Sequence, residues 1–527
     1  MTGLRHPTSP RARAALGLTA LALATSACGL QQTGVDGALR ATSAQDTLGS
    51  TTGTSSTGSA TGTTGSTGTT GTSGTSGTSG TSGTTGTTSG TGTTGTTGST
   101  ISGGTSGATA GSAAGGTGGG ATGLVQTPGL KGSLTVTYVN VTGFDQLGKV
   151  VVVNTASTGD AVAQTNALAS YVNAHGGIAG KKLAPVVRDY NAQQASEVND
   201  NNLCQAITTT DKAFMAVLHG QIHASARDCY AAKKVLAFEG AAYGFGRDFY
   251  AAHHASQWSP SYADYDETSR ALVKTLVERK WLTGQTKVGL VLWDDKPYHD
   301  VADKTLVPLL KQAGVDVVQA SVSNSDIGAI ESGIHAAAQT LITNNVTHVL
   351  FLGSAPLQPF FVQQNQQYNQ FVYGLSSFDV PRYMAVNFPR NMAGAVGVGF
   401  SPVDDVLDAQ HKFPQPGLET ECAAIYKAAG ISMAGRYVSG VFNSKQALSY
   451  CESTLLLKKV ADTIPSPLTQ AGWTAAAERL GTSFQAAQTF TTSYGANKHT
   501  GASSYRDIVY DAACTCMKYA TGNRTLS

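Results

Sequence analysis

Through most of the chain, short apolar runs alternate with longer stretches in which apolar residues recur every three or four positions. Leu134–Val141 alternates apolar and polar residues and predicts a strand, while 160–174 carries an apolar stripe that predicts a helix. Gly176 and Gly177 provide a helix stop, and 183–189 predicts a buried parallel strand. This alternation predicts an α/β fold whose parallel sheets are flanked by helices.

The same pattern is interrupted by a polar segment at 249–265 and then restarts, which predicts two lobes. About 395 residues follow Gly132, more than one ordinary core accommodates. Further strands are predicted at 213–218, 235–238, 288–293, 315–319, 349–353 and near Val372.

We expect a second crossing near 381–391 to return the chain to the first lobe, where a strand at 395–400 would lie. The predicted domain bounds are lobe 1 at 132–255 with 381–495, and lobe 2 at 256–380 with 496–527.

The N-terminus has the pattern of an export signal. Basic residues precede the apolar run 14–24, which is shorter than the roughly 20 residues that span a bilayer. A cysteine after small residues resembles the lipobox of bacterial lipoproteins, so 1–28 is interpreted as a lipoprotein signal peptide with Cys28 as the lipidated residue. An ordinary secretory signal is the alternative, since Thr25 stands where the lipobox has Leu or Val.

Residues 29–131 are dominated by Gly, Thr, Ser and Ala, which cannot bury enough apolar surface to fold. This composition predicts a flexible, disordered tether. The whole chain has a formal net charge of +2 and lacks a long basic block, so nucleic acid is not an expected partner. Membrane contact is expected through the lipid anchor only.

The stretch 172–189, VNAHGGIAGKKLAPVVRD, resembles the Asn-x-x-Gly-Gly-Ile turn found early in branched-chain amino-acid (type I) periplasmic binding proteins, the solute receptors of ABC importers. The resemblance implies a two-lobed fold, each lobe a parallel sheet flanked by helices, joined by several hinge crossings around a ligand cleft. A phosphate loop is disfavoured here because His175 and Lys182 occupy the positions of its first glycine and its hydroxyl.

Ligands of open α/β sheets lie at the carboxyl ends of strands, where the resemblance assigns roles to several residues of lobe 1. It implies that Ser225 holds a ligand carboxylate, although a helix N-cap is an equally open interpretation. It also implies ligand contacts from Ala241 and Tyr243. Glu239 at a strand end either binds a ligand amine or caps a neighbour.

In lobe 2, Tyr298 matches the family's tyrosine that packs on the ligand, with His299 in place of the following glycine. Ser376 stands where amino-acid-binding relatives have the glutamate that pairs with the ligand ammonium. Either Asp379 or Glu239 replaces that acid, or the ligand is not an α-amino acid. We favour the second interpretation because a buried ammonium without a carboxylate is costly.

Six cysteines remain after the lipidation candidate is set aside, an even number that fits disulfides in an exported protein. Cys204 and Cys229 fall in helices on either side of one predicted strand, and the resemblance implies a bridge in this region. The pairing of Cys422, Cys451, Cys514 and Cys516 is left open. No Cys-x2-Cys pair is present, so no zinc site of that type is expected.

No catalytic constellation stands out. The chain after 132 contains neither a His-Glu-x2-His motif nor a nucleophile elbow, and its Gly-x-Gly pairs lack the third glycine of a dinucleotide fingerprint. Asp294, Asp295, His299 and Asp300 are interpreted as caps and surface groups. We therefore expect no enzyme activity, no cofactor and no metal.

The predicted function is that of an extracytoplasmic lipoprotein, anchored to the outer face of the cell membrane. It would capture an amino acid or another small polar solute between its lobes and deliver it to the membrane subunits of an ABC importer. A ligand sensor or scaffold that uses the same fold without transport is the alternative, and a cell-wall hydrolase is disfavoured.

Overall fold

The computed structural model describes residues 130–143, 158–284, 286–433 and 445–527. The predicted signal peptide with Cys28, and all but the last residues of the predicted tether, lie outside these ranges. Within the described ranges, no helix is both long enough and apolar enough to cross a membrane.

The first lobe is built on a five-stranded parallel sheet. Its strands are β1 Ser133–Thr142, β2 Lys182–Asn191, β3 Met215–Leu218, β4 Leu236–Glu239 and β5 Gln257–Trp258. Their order is β2-β1-β3-β4-β5, and every neighbouring pair runs parallel. The central strands β3 and β4 are buried along their whole length, as expected where both faces of a parallel sheet are covered.

The second lobe is built on a mixed sheet. Its strands are β6 Lys287–Trp293, β7 Asp316–Val322, β8 His348–Leu352, β9 Val372–Ser376, β10 Val396–Gly399, β11 Ser504–Asp511, β12 Cys516–Tyr519 and β13 Arg524–Thr525. Their order is β12-β11-β10-β9-β8-β6-β7, and β13 pairs with β11. The strands from β6 to β10 pair in parallel, whereas β11 is antiparallel to its neighbours.

Helices connect and flank these strands. They are α1 Ala161–Ala174, α2 Glu197–Gln205, α3 Ala226–Ala232, α4 Arg247–Ala252, α5 Tyr265–Glu278, α6 Lys296–Val301, α7 Val307–Gln312, α8 Ile327–Thr343, α9 Leu357–Gln364, α10 Pro381–Asn387, α11 Pro402–Asp405, α12 Asp408–His411, α13 Leu418–Ala428, α14 Lys445–Ala461 and α15 Gln470–Ala477. A π-helical turn, 302–306, joins α6 to α7.

Several helices begin where an aspartate side chain caps the first turn. Asp160, Asp264 and Asp326 accept hydrogen bonds from the backbone N–H groups of the third residue after each, at 2.9, 2.7 and 2.9 Å respectively. These bonds satisfy donors that the helix itself leaves free. The starts of α1, α5 and α8 are therefore encoded locally.

The predicted glycine stop is present after α1. Gly176 and Gly177 both have positive φ angles, +87° and +70°. A Cβ atom at Gly177 would lie 2.1 Å from the backbone oxygen of Lys181, so only glycine fits there. The stop leads directly into β2, as the sequence pattern predicts.

The strand predicted at 395–400 is β10, and it lies in the second sheet between β9 and β11. Its assignment to lobe 1 was wrong because the chain does not return at 381–391, where α10 packs against β12. The return follows β10, and α13 and α14 then pack on α1 of the first lobe.

Two of the connections between the lobes run side by side. Ser259 follows β5, and its backbone N–H donates to the oxygen of His499 at 2.9 Å while its own oxygen accepts from Gly501 N–H at 2.8 Å. The two segments thereby form a short parallel bridge between Ser259 and Thr500. Backbone hydrogen bonds thus hold these two connections together.

Within the described ranges, three disulfides cross-link the chain. Cys204–Cys229 links α2 to α3, which confirms the expected pair, and Cys422–Cys451 links α13 to α14. Cys514 and Cys516 are bonded across the turn that leads into β12. Thr515 between them has a φ of +49°, so a turn residue separates Cys514 from Cys516, the first residue of β12.

Candidate ligand cleft

The carboxyl ends of strands from both sheets meet between the lobes. The loop after β3 reaches the loop after β7, where His223 Nε2 lies 2.7 Å from the backbone oxygen of Asn324. The loop after β8 reaches the loop after β4, where Ala355 N–H donates to the oxygen of Ala242 at 3.3 Å. The two lobes are therefore closed against each other at the edge where ligands of α/β sheets bind.

Glu239, at the end of β4, is held by Arg227 of α3. Arg227 donates from Nε to Oε1 at 2.8 Å and from Nη2 to Oε2 at 2.9 Å. The amide of Gln257 adds a bond to Oε1 at 2.6 Å, and Arg227 Nη1 donates to the backbone oxygens of Gln221 and His223. Both charged side chains are buried, so the first lobe itself neutralises this carboxylate.

His223 makes a second buried ion pair, with Asp200 of α2. Its Nδ1 lies 2.9 Å from Asp200 Oδ2, while its Nε2 faces the carbonyl of Asn324. Because both facing atoms are acceptors, only the protonated imidazole donates to both. Burial lowers the pKa of His223, but the hydrogen bond to Asp200 and the charges of Asp200 and Asp295 outweigh it, and the net pKa is raised.

Asp295, at the start of α6, connects the same loops from the second lobe. Its Oδ2 accepts from the side-chain amide of Asn324 at 2.9 Å and from Ala224 N–H at 3.5 Å. The carboxylate thereby links the second lobe to the loop that carries His223. This polar contact is a product of the tertiary fold.

Tyrosines from both lobes are buried beside these charges. Tyr298 lies on α6. Its ring centroid is 6.0 Å from that of Phe245 in the first lobe and 6.0 Å from that of Tyr265. Burial raises the pKa of Tyr298 and of Tyr243, and the charge of Arg227 opposes the shift in both. Phe245 lies between Tyr298 and the Arg227–Glu239 pair, since the guanidinium carbon of Arg227 is 5.3 Å from the Phe245 ring centroid.

Ser376 and Asp379 form a local cap immediately after β9. The backbone N–H and the hydroxyl of Ser376 both donate to Asp379 Oδ2, at 2.7 and 2.9 Å. Burial raises the pKa of Asp379 to about 7, although these two hydrogen bonds lower it. Phe378, which precedes Asp379, packs on Tyr265 with ring centroids 4.3 Å apart.

The remaining predicted residues have other surroundings. The hydroxyl of Ser225 donates to Glu197 Oε1 at 3.2 Å in an exposed position. Ser225 precedes α3, but its side chain makes no capping hydrogen bond within the described part of the chain. Ala241 is partly buried against the larger hydrophobic core.

A groove of about 570 Å³ opens beside the cleft, between α4 of the first lobe and α5 and α6 of the second. Charged side chains from both lobes line it, among them Arg247, Asp248, Lys296 and Lys304. Lys304 and Asp248 pair across it at 2.7 Å. Within the described residues, none of the seven predicted ligand residues lines this groove.

The sequence interpretation missed Arg227 and Asp200. Both lie on predicted helices, where charged residues usually face solvent. One signal was available: Glu239 directly follows a run of buried strand residues, and a carboxylate in such a position requires a cation or several donors. Which helix supplies the cation depends on the tertiary fold.

Solved structures with low sequence identity share this architecture. One is a branched-chain amino-acid ABC transporter protein from Thermus thermophilus with bound valine, 13% identical, covering 75% of this chain and 97% of its own, with a TM-score of 0.50. An ABC-transporter substrate-binding protein from Aeropyrum pernix is 12% identical over 75% of this chain and 97% of its own, with a TM-score of 0.52.

A third is a solute-binding protein of an ABC transporter from Rhodopseudomonas palustris HaA2 in complex with p-hydroxybenzoic acid. It is 11% identical, covers 75% of this chain and 98% of its own, and has a TM-score of 0.52. No protein-family model matches the sequence, and no curated protein matches it. The structural likeness concerns the fold: this chain has the two-lobed type I periplasmic-binding-protein fold.

Proposed function

We propose that the protein is an extracytoplasmic receptor that closes its two lobes on a small polar solute and presents it to an ABC importer. The observation that carries this proposal is the junction of the lobes. Buried polar and aromatic groups of both lobes meet there at the carboxyl ends of the strands, through His223–Asn324 and Tyr298–Phe245. Ligand contacts to both sides would stabilise the closed state, and the proposal assigns binding without catalysis.

The proposed ligand is a polar solute other than an α-amino acid. The two acids that were alternatives for the ammonium partner are engaged elsewhere: Glu239 is paired with Arg227, and Asp379 accepts two bonds from Ser376. Recruiting Glu239 would leave a buried guanidinium without its partner, which costs several kcal/mol, on the order of 3–5. Tyr243, Tyr298 and the polar loop groups would then supply hydrogen bonds and an aromatic wall.

The N-terminal part of the proposal is a lipid anchor at Cys28 followed by a flexible tether. With roughly 100 residues, random-coil scaling gives a mean span on the order of 50–60 Å, which would hold the lobes clear of the membrane. Mass spectrometry of the membrane fraction tests this. A diacylated N-terminal Cys28 is expected, and a water-soluble mature chain cleaved elsewhere would contradict it.

A ligand screen on the full chain tests the receptor proposal. Melting temperature is measured with amino acids, hydroxybenzoates, short-chain acids, amides and polyols, and positive compounds are titrated by calorimetry. A ligand at 100 times its dissociation constant should add about 2.7 kcal/mol to the free energy of unfolding. A shift with a compound that is not an α-amino acid is the expected result.

A matched pair of variants locates the binding. Tyr298→Phe removes a hydroxyl in the cleft, and Tyr510→Phe removes one from the partly exposed strand β11. The first should weaken binding and the second should leave it unchanged. A shift with leucine or valine would overturn the proposed ligand class. No shift with any compound would favour a scaffold that closes without ligand, consistent with the direct contacts between its lobes.

A further inference from the structure

Outside the cleft, two imidazoles and one carboxylate converge beside the paired connections between the lobes. His254 follows α4, Glu478 follows α15, and His499 lies between α15 and β11. A single oxygen, Glu478 Oε1, lies 2.5 Å from His254 Nε2 and 3.0 Å from His499 Nε2. The three nitrogen and oxygen atoms all lie within 4.8 Å of one another.

The surrounding structure orients these side chains. The ring of His499 stacks on Trp258 of β5, with centroids 3.8 Å apart and planes at 11°. The backbone oxygen of His499 accepts from Ser259, which fixes the segment that carries the ring. Thr474 of α15 donates to the oxygen of Ala255 at 3.0 Å and thereby ties α15 to the segment after α4.

Exposure increases across the cluster from one side to the other. The side chain of His499 is 2% exposed, that of Glu478 is 17% exposed and that of His254 is 50% exposed. The buried imidazole and the carboxylate are thus held in place, while the third group is free to adjust. Solvent reaches the cluster on the His254 side.

We propose that His254, Glu478 and His499 form a binding site for a divalent transition-metal ion, with Zn²⁺ as its best-suited occupant. Two histidines and one glutamate, with water in the fourth position, are a ligand set that zinc uses in proteins. Tetrahedral ligands at zinc distances lie about 3.4 Å apart. Glu478 Oε1 and His499 Nε2, at 3.0 Å, are close to that spacing, and the half-exposed His254 would move away from Oε1 to reach it.

No metal is expected from the sequence. Its motifs do not reveal this site because the three residues come from distant segments of the sequence. Motifs such as His-Glu-x2-His depend on ligands one helical turn apart, whereas here the fold alone brings them together. An ion would cross-link the end of α4, the end of α15 and the segment next to the Ser259–Thr500 bridge. Binding should therefore also raise the melting temperature.

Calorimetric titration with ZnCl₂ tests the proposal on the full chain, produced without a histidine tag and stripped with a chelator. One site per chain is expected to bind more tightly than any background binding. His254→Ala and Glu478→Gln should each weaken this site at least ~10-fold, since even outer groups around a bound zinc change affinity by that factor. The zinc-dependent rise in melting temperature should fall in the same variants.

His299→Ala is the matched control. His299 pairs with Asp294 at 2.9 Å as a single imidazole with a single carboxylate, on the surface of the second lobe. Its removal should leave the tight site unchanged. Circular dichroism without metal verifies folding, and His254→Ala decides the question if Glu478→Gln does not fold, because His254 is half-exposed. Absence of a tight site, or equal weakening by His254→Ala and His299→Ala, would overturn the proposal.

Discussion

The two sides of the cleft handle buried charge differently. On the first lobe, Glu239 lies against Arg227 and Asp200 lies against His223, so each acid has a basic partner. On the second lobe, Asp379 accepts from the N–H and hydroxyl of Ser376, which carry no charge. The acids of the first side are paired with basic side chains of the same lobe, while Asp379 and Asp295 on the second side accept hydrogen bonds from neutral donors.

This difference indicates how each side would respond to a ligand or to pH. Separating Arg227 from Glu239 would leave two buried charges without partners. That pair is therefore expected to remain intact when the lobes open or close. Asp379 has a pKa raised to about 7 by burial, so it changes charge close to neutral pH. A ligand in the cleft would therefore lie between fixed charges of the first lobe and, on the second lobe, an acid whose charge changes near neutral pH.

The largest effect is expected from Arg227→Met. The substitution keeps a long side chain but leaves the carboxylate of Glu239 buried, with the amide of Gln257 as its one remaining side-chain donor among the residues that the structure describes. We expect the free energy of unfolding to fall by about 3–5 kcal/mol, measured by urea denaturation.

The double variant Arg227→Met with Glu239→Gln is the control for this effect. It removes both charges, so most of the lost stability should return. If the single variant lost less than about 1 kcal/mol, the first side of the cleft would not depend on this pair.

Asp379→Asn is expected to raise the free energy of unfolding, by less than Arg227→Met lowers it. The folded-state pKa, about 7, lies above the ordinary value of 3.8. The carboxyl group's contribution to stability is therefore complete below that ordinary value and is lost as the pH rises through about 7. Asparagine retains an acceptor for Ser376 without the charge, so the variant should be more stable than the wild type at alkaline pH, by roughly 2 kcal/mol.

Denaturation at acidic and at alkaline pH measures this difference. The stabilisation should disappear at low pH, where Asp379 is protonated in both states. Asp303→Asn, at an exposed position, is the control and should change the free energy of unfolding by less than about 0.5 kcal/mol. Equal stability of Asp379→Asn and wild type at every pH would mean that the acid is not destabilised by burial.

His223→Gln tests the contact that joins the two sides. The pKa of His223 is raised in the folded state, so its contribution is complete below the ordinary pKa and is lost as pH rises through the folded value. Above it, a neutral imidazole cannot donate to both Asp200 and Asn324. We expect the wild type to lose about 1 kcal/mol of stability through this group between neutral and alkaline pH, and the variant to lack that loss.

The melting temperatures of wild type and His223→Gln, compared across this pH range, measure the effect. Burial lowers the pKa of His219 to about 4, so that neighbouring histidine stays neutral and does not contribute. A constant difference between wild type and variant at every pH would contradict the proposed charge on His223.

The fold was largely predictable because its elements have local causes. The stripe in α1, the caps at Asp160 and Asp264, and the stop at Gly177 all depend on residues close in sequence. The lobe to which β10 belongs was not predictable in this way, since a short buried strand has the same apolar pattern in either sheet.

The cleft was predictable only in part. Strand ends and the family resemblance indicated the loops that carry Glu239, Tyr243 and Tyr298, and all three side chains are buried. Their contact with a ligand stays a prediction. The partners Arg227 and Asp200 were missed because pairing between a helix and a strand end is decided by tertiary packing. The resemblance assigns a ligand role to each position, but the neighbouring charges decide whether the side chain is free to take it. Glu239, for example, is already paired with Arg227.

Ser225→Ala is expected to have the smallest effect and tests whether the first lobe contacts a ligand through this hydroxyl. The resemblance assigns Ser225 to a ligand carboxylate, whereas its hydroxyl contacts Glu197 in an exposed position. An exposed hydrogen bond contributes little, so the free energy of unfolding should change by less than about 0.5 kcal/mol. Affinity for a ligand found in the screen should also stay the same, while Tyr298→Phe weakens it. A large loss of affinity in Ser225→Ala would mean that this hydroxyl turns into the cleft when ligand binds. The first lobe would then contact ligand through a neutral hydroxyl as well as lying beside it with paired charges.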